Sequence, residues 1–159
     1  MAEPALVEPP VRLGVAGLIT DHVWAMVEAL TALPAVSLAA IGESDAELAE
    51  QASARYPQVA RYRDAAAVLD HDGLDAIVLC VDNAAKADIA ERALGQGIAV
   101  YSDKPLAATG DQALRIHQAV QRTGGLLMCA FHTAFDTGFE EVGDLVREGL
   151  LGTVQFARG

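Results

Sequence analysis

Residues 11–30 constrain this chain more than any other stretch. Val11-Arg12-Leu13-Gly14-Val15-Ala16 is a short apolar run with no helical period, the pattern of a strand buried on both faces. Gly17 breaks it. Beyond the break, Val23, Met26, Val27 and Leu30 recur at helical spacing, and Thr20 or Asp21 is placed to cap that helix. A buried strand that runs through a glycine turn straight into a helix opens a βαβ unit. It aims the helix N-terminus, with its free amides and positive dipole end, at an anion lying over the turn. In the dinucleotide-binding form of the unit the turn reads G-x-G-x-x-G. Here Gly17 keeps the first place, Ile19 stands at the second and His22 at the third. Ile19 adds a branched side chain where a phosphate would come closest to the backbone, and Asp21 adds negative charge there. Two readings stay open on this stretch. One is a pyrophosphate site over Gly17, Leu18, Ile19, Thr20, Asp21 and His22; the other is a structural turn whose helix is capped by the chain's own Asp21.

Strand and helix alternate along the rest of the chain. Residues 36–43 read as a second buried strand, and Ser44-Asp45-Ala46-Glu47 as a capping box for a helix reaching about Tyr56, with Pro57 just beyond. Residues 59–62 form a short third strand near an edge, and 64–70 a short helix. Residues 75–81 are the clearest buried strand, followed by a helix over 84–95 and a strand over 98–102. Thr109 and Gln112 form a second capping box, for a helix that stops at Gly124-Gly125. A sixth strand covers 126–130. A third box, Thr137 with Glu140, opens a helix with Phe139, Val142, Leu145 and Val146 on one face, and 153–158 begin a last strand. The pattern predicts an α/β fold: a doubly wound parallel sheet with helices on both faces and strand order 3-2-1-4-5-6. Residues 1–10 are expected as a mobile tail and 11–135 as a dinucleotide-binding domain. Residues 136–159 are expected as the helix and first strand of a second domain that the chain only begins.

The 159 residues suffice for one domain with a real core, and a hydrophobic share of 52% marks it as globular. A net charge of −11 disfavours nucleic acid and anionic membrane surfaces as partners. The longest apolar run, 126–131, is far short of a membrane span, and the first ten residues lack the basic start of a signal peptide. A cytoplasmic protein is expected. Cys80 and Cys129 lie in apolar strand-like runs and are expected buried, reduced and unbonded. The predicted strand order sets them two strand spacings apart, roughly 9–10 Å, beyond the reach of a disulfide. No histidine or cysteine pair has metal-ligand spacing, so no metal site is expected.

In a doubly wound sheet, ligands bind beyond the carboxyl ends of the strands, where strand order reverses. That singles out the turn at 17–22, then Glu43 and Ser44, Val81, Asp82 and Asn83, Asp103 and Lys104, and His132. An acid roughly 20 residues past the first glycine is the expected ligand of the ribose hydroxyls, and Glu43 fills that place. It would repel a 2′-phosphate, and Ser44 follows it where an arginine would serve one, so NAD is expected over NADP. Lys104, after the fifth strand, could hold a substrate oxygen or help move a proton.

With Asp103-Lys104-Pro105 following the run Ala-Leu-Gly-Gln-Gly-Ile-Ala-Val over 93–100, the chain resembles the N-terminal domain of the Gfo/Idh/MocA oxidoreductases. In that family a Glu-Lys-Pro triplet follows the fifth strand. Asp75, Gly97, Lys104-Pro105, the helix over 139–149 and Gly152 match it, and the resemblance runs from Val11 to the C-terminus. It implies NAD(P)-dependent hydride transfer on a sugar, polyol or related alcohol, with Lys104 as the catalytic residue and a cis Lys104–Pro105 peptide. It also implies a second domain that supplies the substrate pocket, so the chain alone is expected to be a truncated, catalytically silent cofactor-binding part with an edge open to a second copy. The departures are Asp103 for glutamate, Asp82 where proline is usual, Lys86 where histidine is usual, and Ile19 and His22 for glycines. A rival from another class is a non-catalytic binding or interaction module that kept the fold and lost tight cofactor binding. Glu43 and the Asp-Lys-Pro triplet favour the enzyme; the altered turn favours the module.

Overall fold

The computed structural model describes residues 10–131 and 137–156. Six strands form one sheet: β1 (Val11–Ala16), β2 (Val36–Gly42), β3 (Ala60–Tyr62), β4 (Ala76–Leu79), β5 (Ala99–Ser102) and β6 (Leu127–Cys129). Their order is β3-β2-β1-β4-β5-β6, and every neighbouring pair is parallel. This is the doubly wound Rossmann arrangement, with the reversal of strand order between β1 and β4. The helices are α1 (Val23–Thr31), α2 (Ala46–Arg55), α3 (Lys86–Gly95), α4 (Gly110–Thr123) and α5 (Thr137–Arg147), with a 3-10 turn at Ala66–Asp70.

The core lies on both faces of the sheet, and β4 shows why its sequence is apolar throughout. Side chains alternate across a strand. Ile77 and Leu79 therefore join one buried cluster with Ala90 and Leu94 of α3 and Ile116 of α4. Val78 and Cys80 join another with Val23 and Val27 of α1 and Ala52 of α2. A strand covered on both sides has no position left for a polar residue.

The ends of the helices differ in part from expectation. His22 stands at the N-cap of α1 without a side-chain cap bond. The Val23 amide instead donates to the Thr20 carbonyl, and the Asp21 side chain is fully exposed. In α2 the cap is Asp45, whose carboxylate accepts the Glu47 and Leu48 amides, and not Ser44. Thr109 caps α4 through the Gln112 amide, and Gly124 ends it in the left-handed conformation.

The described chain divides into two units, Met1–Cys129 and Ala130–Gly159. The second contains α5. Of the last strand expected over 153–158, residues 153–156 form none, and 157–158 lie outside the described residues. Cys80 is fully buried, but Cys129 is only half-buried because β6 is an edge strand. No disulfide joins the two cysteines. The expected tail falls almost wholly on residues 1–9, outside the described residues. Among those described, no helix is long and apolar enough to cross a membrane.

Candidate functional site

Gly17 takes a φ of +79° at the carboxyl end of β1, where a Cβ would stand 2.7 Å from the Cys80 carbonyl oxygen and 2.6 Å from Val81 Cγ1. Only glycine fits that backbone and that gap. The turn is tied to the strands on either side of β1. The Gly17 amide donates to the Gly42 carbonyl at 2.8 Å and the Ile19 amide to the Cys80 carbonyl at 3.3 Å. Between them, the Leu18 amide donates to Glu43 Oε2 at 2.6 Å. The next three amides, of Thr20, Asp21 and His22, donate to no acceptor among the described residues. Together with the Trp24 and Ala25 amides at the start of α1 they are the donors left for an anion. Thr20 Oγ1 is buried there, beside the Cys80 thiol, which burial pushes up to about 11 against the opposing hydrogen bond of Thr20.

Glu43 is buried at the end of β2. Besides the Leu18 amide it accepts those of Ser44 and Asp45 on Oε1, at 2.7 and 2.8 Å. A carboxylate has about four acceptor positions, so one remains, on Oε2. Sequence reasoning assigned Glu43 both ribose hydroxyls; this geometry leaves it one. The carboxylate is first an anchor that joins the glycine turn to the start of α2.

A cleft of about 410 Å³ opens beside it. Of the residues singled out from sequence, Gly17, Ile19, Glu43, Ser44, Val81 and Asp82 line it, and Leu18, Thr20, Asp21, His22 and Asn83 do not. Asp64 and Asp88 were not foreseen and add two further carboxylates, and no lining residue is basic. The Ile19 side chain is 53% exposed.

Asp103 and Lys104 follow β5 and lie outside that lining. The Asp103 carboxylate is almost fully buried. Both its oxygens lie 2.9 Å from His22 Nε2, and Oδ1 also accepts the Lys104 amide at 2.8 Å. His22 Nδ1 in turn lies 3.2 Å from the Asp21 carboxylate. The hydrogen bond that His22 donates to Asp103 raises the His22 pKa, against an opposing effect of burial. Burial alone would raise that of Asp103, but the bonds from His22 and the Lys104 amide outweigh it and hold it below its ordinary value. Thus His22, at the third glycine's place, joins the turn to the Lys104 loop. The Lys104–Pro105 peptide is cis, as the family resemblance implied, and the Lys104 side chain is exposed. His132 lies outside the described residues.

Sequence reasoning missed the role of Lys86. Its Nζ donates to the carbonyls of Asp103 and Pro105, each at 2.7 Å, and burial lowers its pKa. The available signal was its place in α3, on the same face as the buried Ala90 and Ala93, where the helical period calls for an apolar residue.

Comparison with known proteins agrees with this architecture. The model of an oxidoreductase family with an NAD-binding Rossmann fold matches residues 11–131. A dTDP-3,4-didehydro-2,6-dideoxy-alpha-D-glucose 3-reductase from Actinomadura kijaniata is 30% identical over 149 residues, which cover 92% of this chain and 44% of the relative. An inositol 2-dehydrogenase from Salmonella typhimurium is 24% identical over the same shares of the two chains. Among solved structures, a 3-ketoreductase from Actinomadura kijaniata in complex with NADP and TDP-benzene superposes with a TM-score of 0.76 at 28% identity, over 88% of this chain and 43% of that one. The myo-inositol 2-dehydrogenase from Lactobacillus plantarum shares the fold at a TM-score of 0.81 and 17% identity, over 91% and 43% of the two chains. The chain spans less than half the length of these relatives.

Proposed function

Because the chain belongs to the Gfo/Idh/MocA oxidoreductase family, we propose that it binds a nicotinamide dinucleotide, NAD before NADP, as the cofactor-binding part of an enzyme acting on a sugar, polyol or related alcohol. The observation that carries this reading is the turn at the switch point between β1 and β4. Its amides at 17–19 are tied to protein acceptors, while those of Thr20, Asp21 and His22 have none among the described residues. Unsatisfied donors at a helix N-terminus suit a pyrophosphate. In this reading residues 11–135 are the dinucleotide-binding part, and α5 belongs with the substrate-binding part.

The bound cofactor supplies the redox chemistry of the nicotinamide ring; the chain's own residues bind, orient and move a proton. The amides of Thr20, Asp21 and His22 and those at the start of α1 would hold the pyrophosphate, with the Asp21 carboxylate hydrogen-bonded to His22 beside it. Glu43 offers its remaining acceptor to one ribose hydroxyl. The four carboxylates of the cleft oppose a 2′-phosphate, with no basic side chain among its lining residues to receive one. Lys104 Nζ donates to the substrate oxygen and takes part in moving its proton.

Calorimetry tests the reading. NADH should bind at least tenfold more tightly than NADPH. Equal affinities would remove the assignment of cofactor preference to the acidic cleft, and no binding of either at millimolar concentration would favour the non-catalytic module.

A further inference from the structure

Lys86 opens α3 and is 1% exposed. Charged side chains are almost never buried so deeply unless paired. An apolar residue of similar volume is often as stabilising as a buried charge with its partner. Stability alone therefore explains the lysine poorly, and what its charge adds is geometry. Two of its three donors hold the carbonyls of Asp103 and Pro105. Those carbonyls flank Lys104 in the chain, one residue before it and one after.

The same loop is held from a second direction. His22, at the start of α1, bonds the Asp103 carboxylate, which also accepts the Lys104 amide. The Asp103 amide donates to the Leu79 carbonyl at 3.0 Å, so β4 supplies the base of the loop. Lys104 itself is exposed, and its side chain is free to meet a ligand while its backbone is fixed from α3, α1 and β4.

We propose that Lys86 and His22 are positioning residues for Lys104, gripping the loop from α3 and α1 so that the backbone from which its side chain extends is held at one place beside the glycine turn. The proposal rests on the functional reading above for what Lys104 acts on, but the grip exists without any ligand.

Amide hydrogen exchange followed by NMR on the full 159-residue chain tests it, because the Lys104 amide reports the grip directly. Lys86→Met keeps the length of the side chain and removes its charge and donors; His22→Ala removes the other hold at a half-exposed position. In each, the Lys104 amide should exchange at least about tenfold faster than in the parent, the factor expected for one lost hydrogen bond to a charged group, of which Lys86→Met removes two, while amides within β5 keep their parental rates. Ile116→Val, which thins the core under α4 and removes none of these hydrogen bonds, should lower the melting temperature and leave the Lys104 amide unchanged relative to β5. If Lys86→Met fails to fold, His22→Ala decides alone. Parental exchange at Lys104 in the folded variants, or a change no larger than in Ile116→Val, would overturn the proposal. NADH is then titrated into the parent. A chain that passes the exchange test without binding NADH would overturn the cofactor reading and leave the grip standing.

Discussion

His22 has a carboxylate on each ring nitrogen, an arrangement that both nitrogens can satisfy as donors only in the imidazolium form. The stability it contributes is complete below the ordinary histidine value of 6.5 and is lost as pH rises through the raised value. Asp103 behaves oppositely. Its contribution is complete above the ordinary 3.8 and is lost as pH falls through the lowered value. The pair is therefore fully formed between those two ordinary values. A double-mutant cycle of His22→Ala and Asp103→Asn should show a larger coupling energy at about pH 5 than at about pH 9, and Asp103→Asn should return the His22 titration, followed by NMR, toward its ordinary value. At Glu43 the expectation concerns stability as well as binding. Glu43→Ala strands three backbone amides that the carboxylate now accepts. Urea unfolding should show a loss of about 3 kcal/mol, together with weaker NADH binding. A variant of parental stability would mean that water replaces the carboxylate at those amides.

At the scale of the element, the strand–turn–helix unit depends on one backbone conformation. Gly17→Ala would place a Cβ against the Cys80 carbonyl and Val81 at positive φ. The expected cost is at least ~2 kcal/mol of stability in urea unfolding, and NADH affinity should fall with it as the amides of 20–22 move. The strands and long helices were legible because each carries a period: β4 is apolar at every position, and α1 has Val23, Met26, Val27 and Leu30. The caps were less legible. Thr20 and Asp21 were the residues suited to begin α1, and the chain's path off β1 puts His22 at the cap instead. Lys86 was hidden for a related reason. Lysine in a helix is ordinarily solvated, and only the packing of α3 against the loop after β5 puts this one inside.

For the sheet as a whole, position decides protection. β1, β4 and β5 have a neighbour on each side, whereas β3 and β6 are edges. Amides in β1 and β4 should exchange only by global opening, and those of β3 and β6 should exchange first; uniform protection across all six strands would contradict this order. The β6 edge also exposes Leu126 and Met128. Such an edge invites pairing between copies, and light scattering should show concentration-dependent association that Met128→Lys reduces.

What the sequence determined by itself was the class of fold and the strand order. These follow from local period and from the handedness of βαβ connections, which need no knowledge of distant contacts. The Asp-Lys-Pro triplet and the glycine turn could be found in the same way, each as a short local pattern. Only the tertiary structure decided what those residues do to one another. Glu43 spends three of its acceptors on the turn and the start of α2 instead of on a ligand. His22 meets Asp103 across 81 positions of sequence, and Lys86 reaches the carbonyls on either side of Lys104. The physical reason is that hydrogen-bond partners of buried polar groups are chosen by packing, and every such group must find one. A residue's type states what bonds it can make; only the folded chain states which of them are already taken.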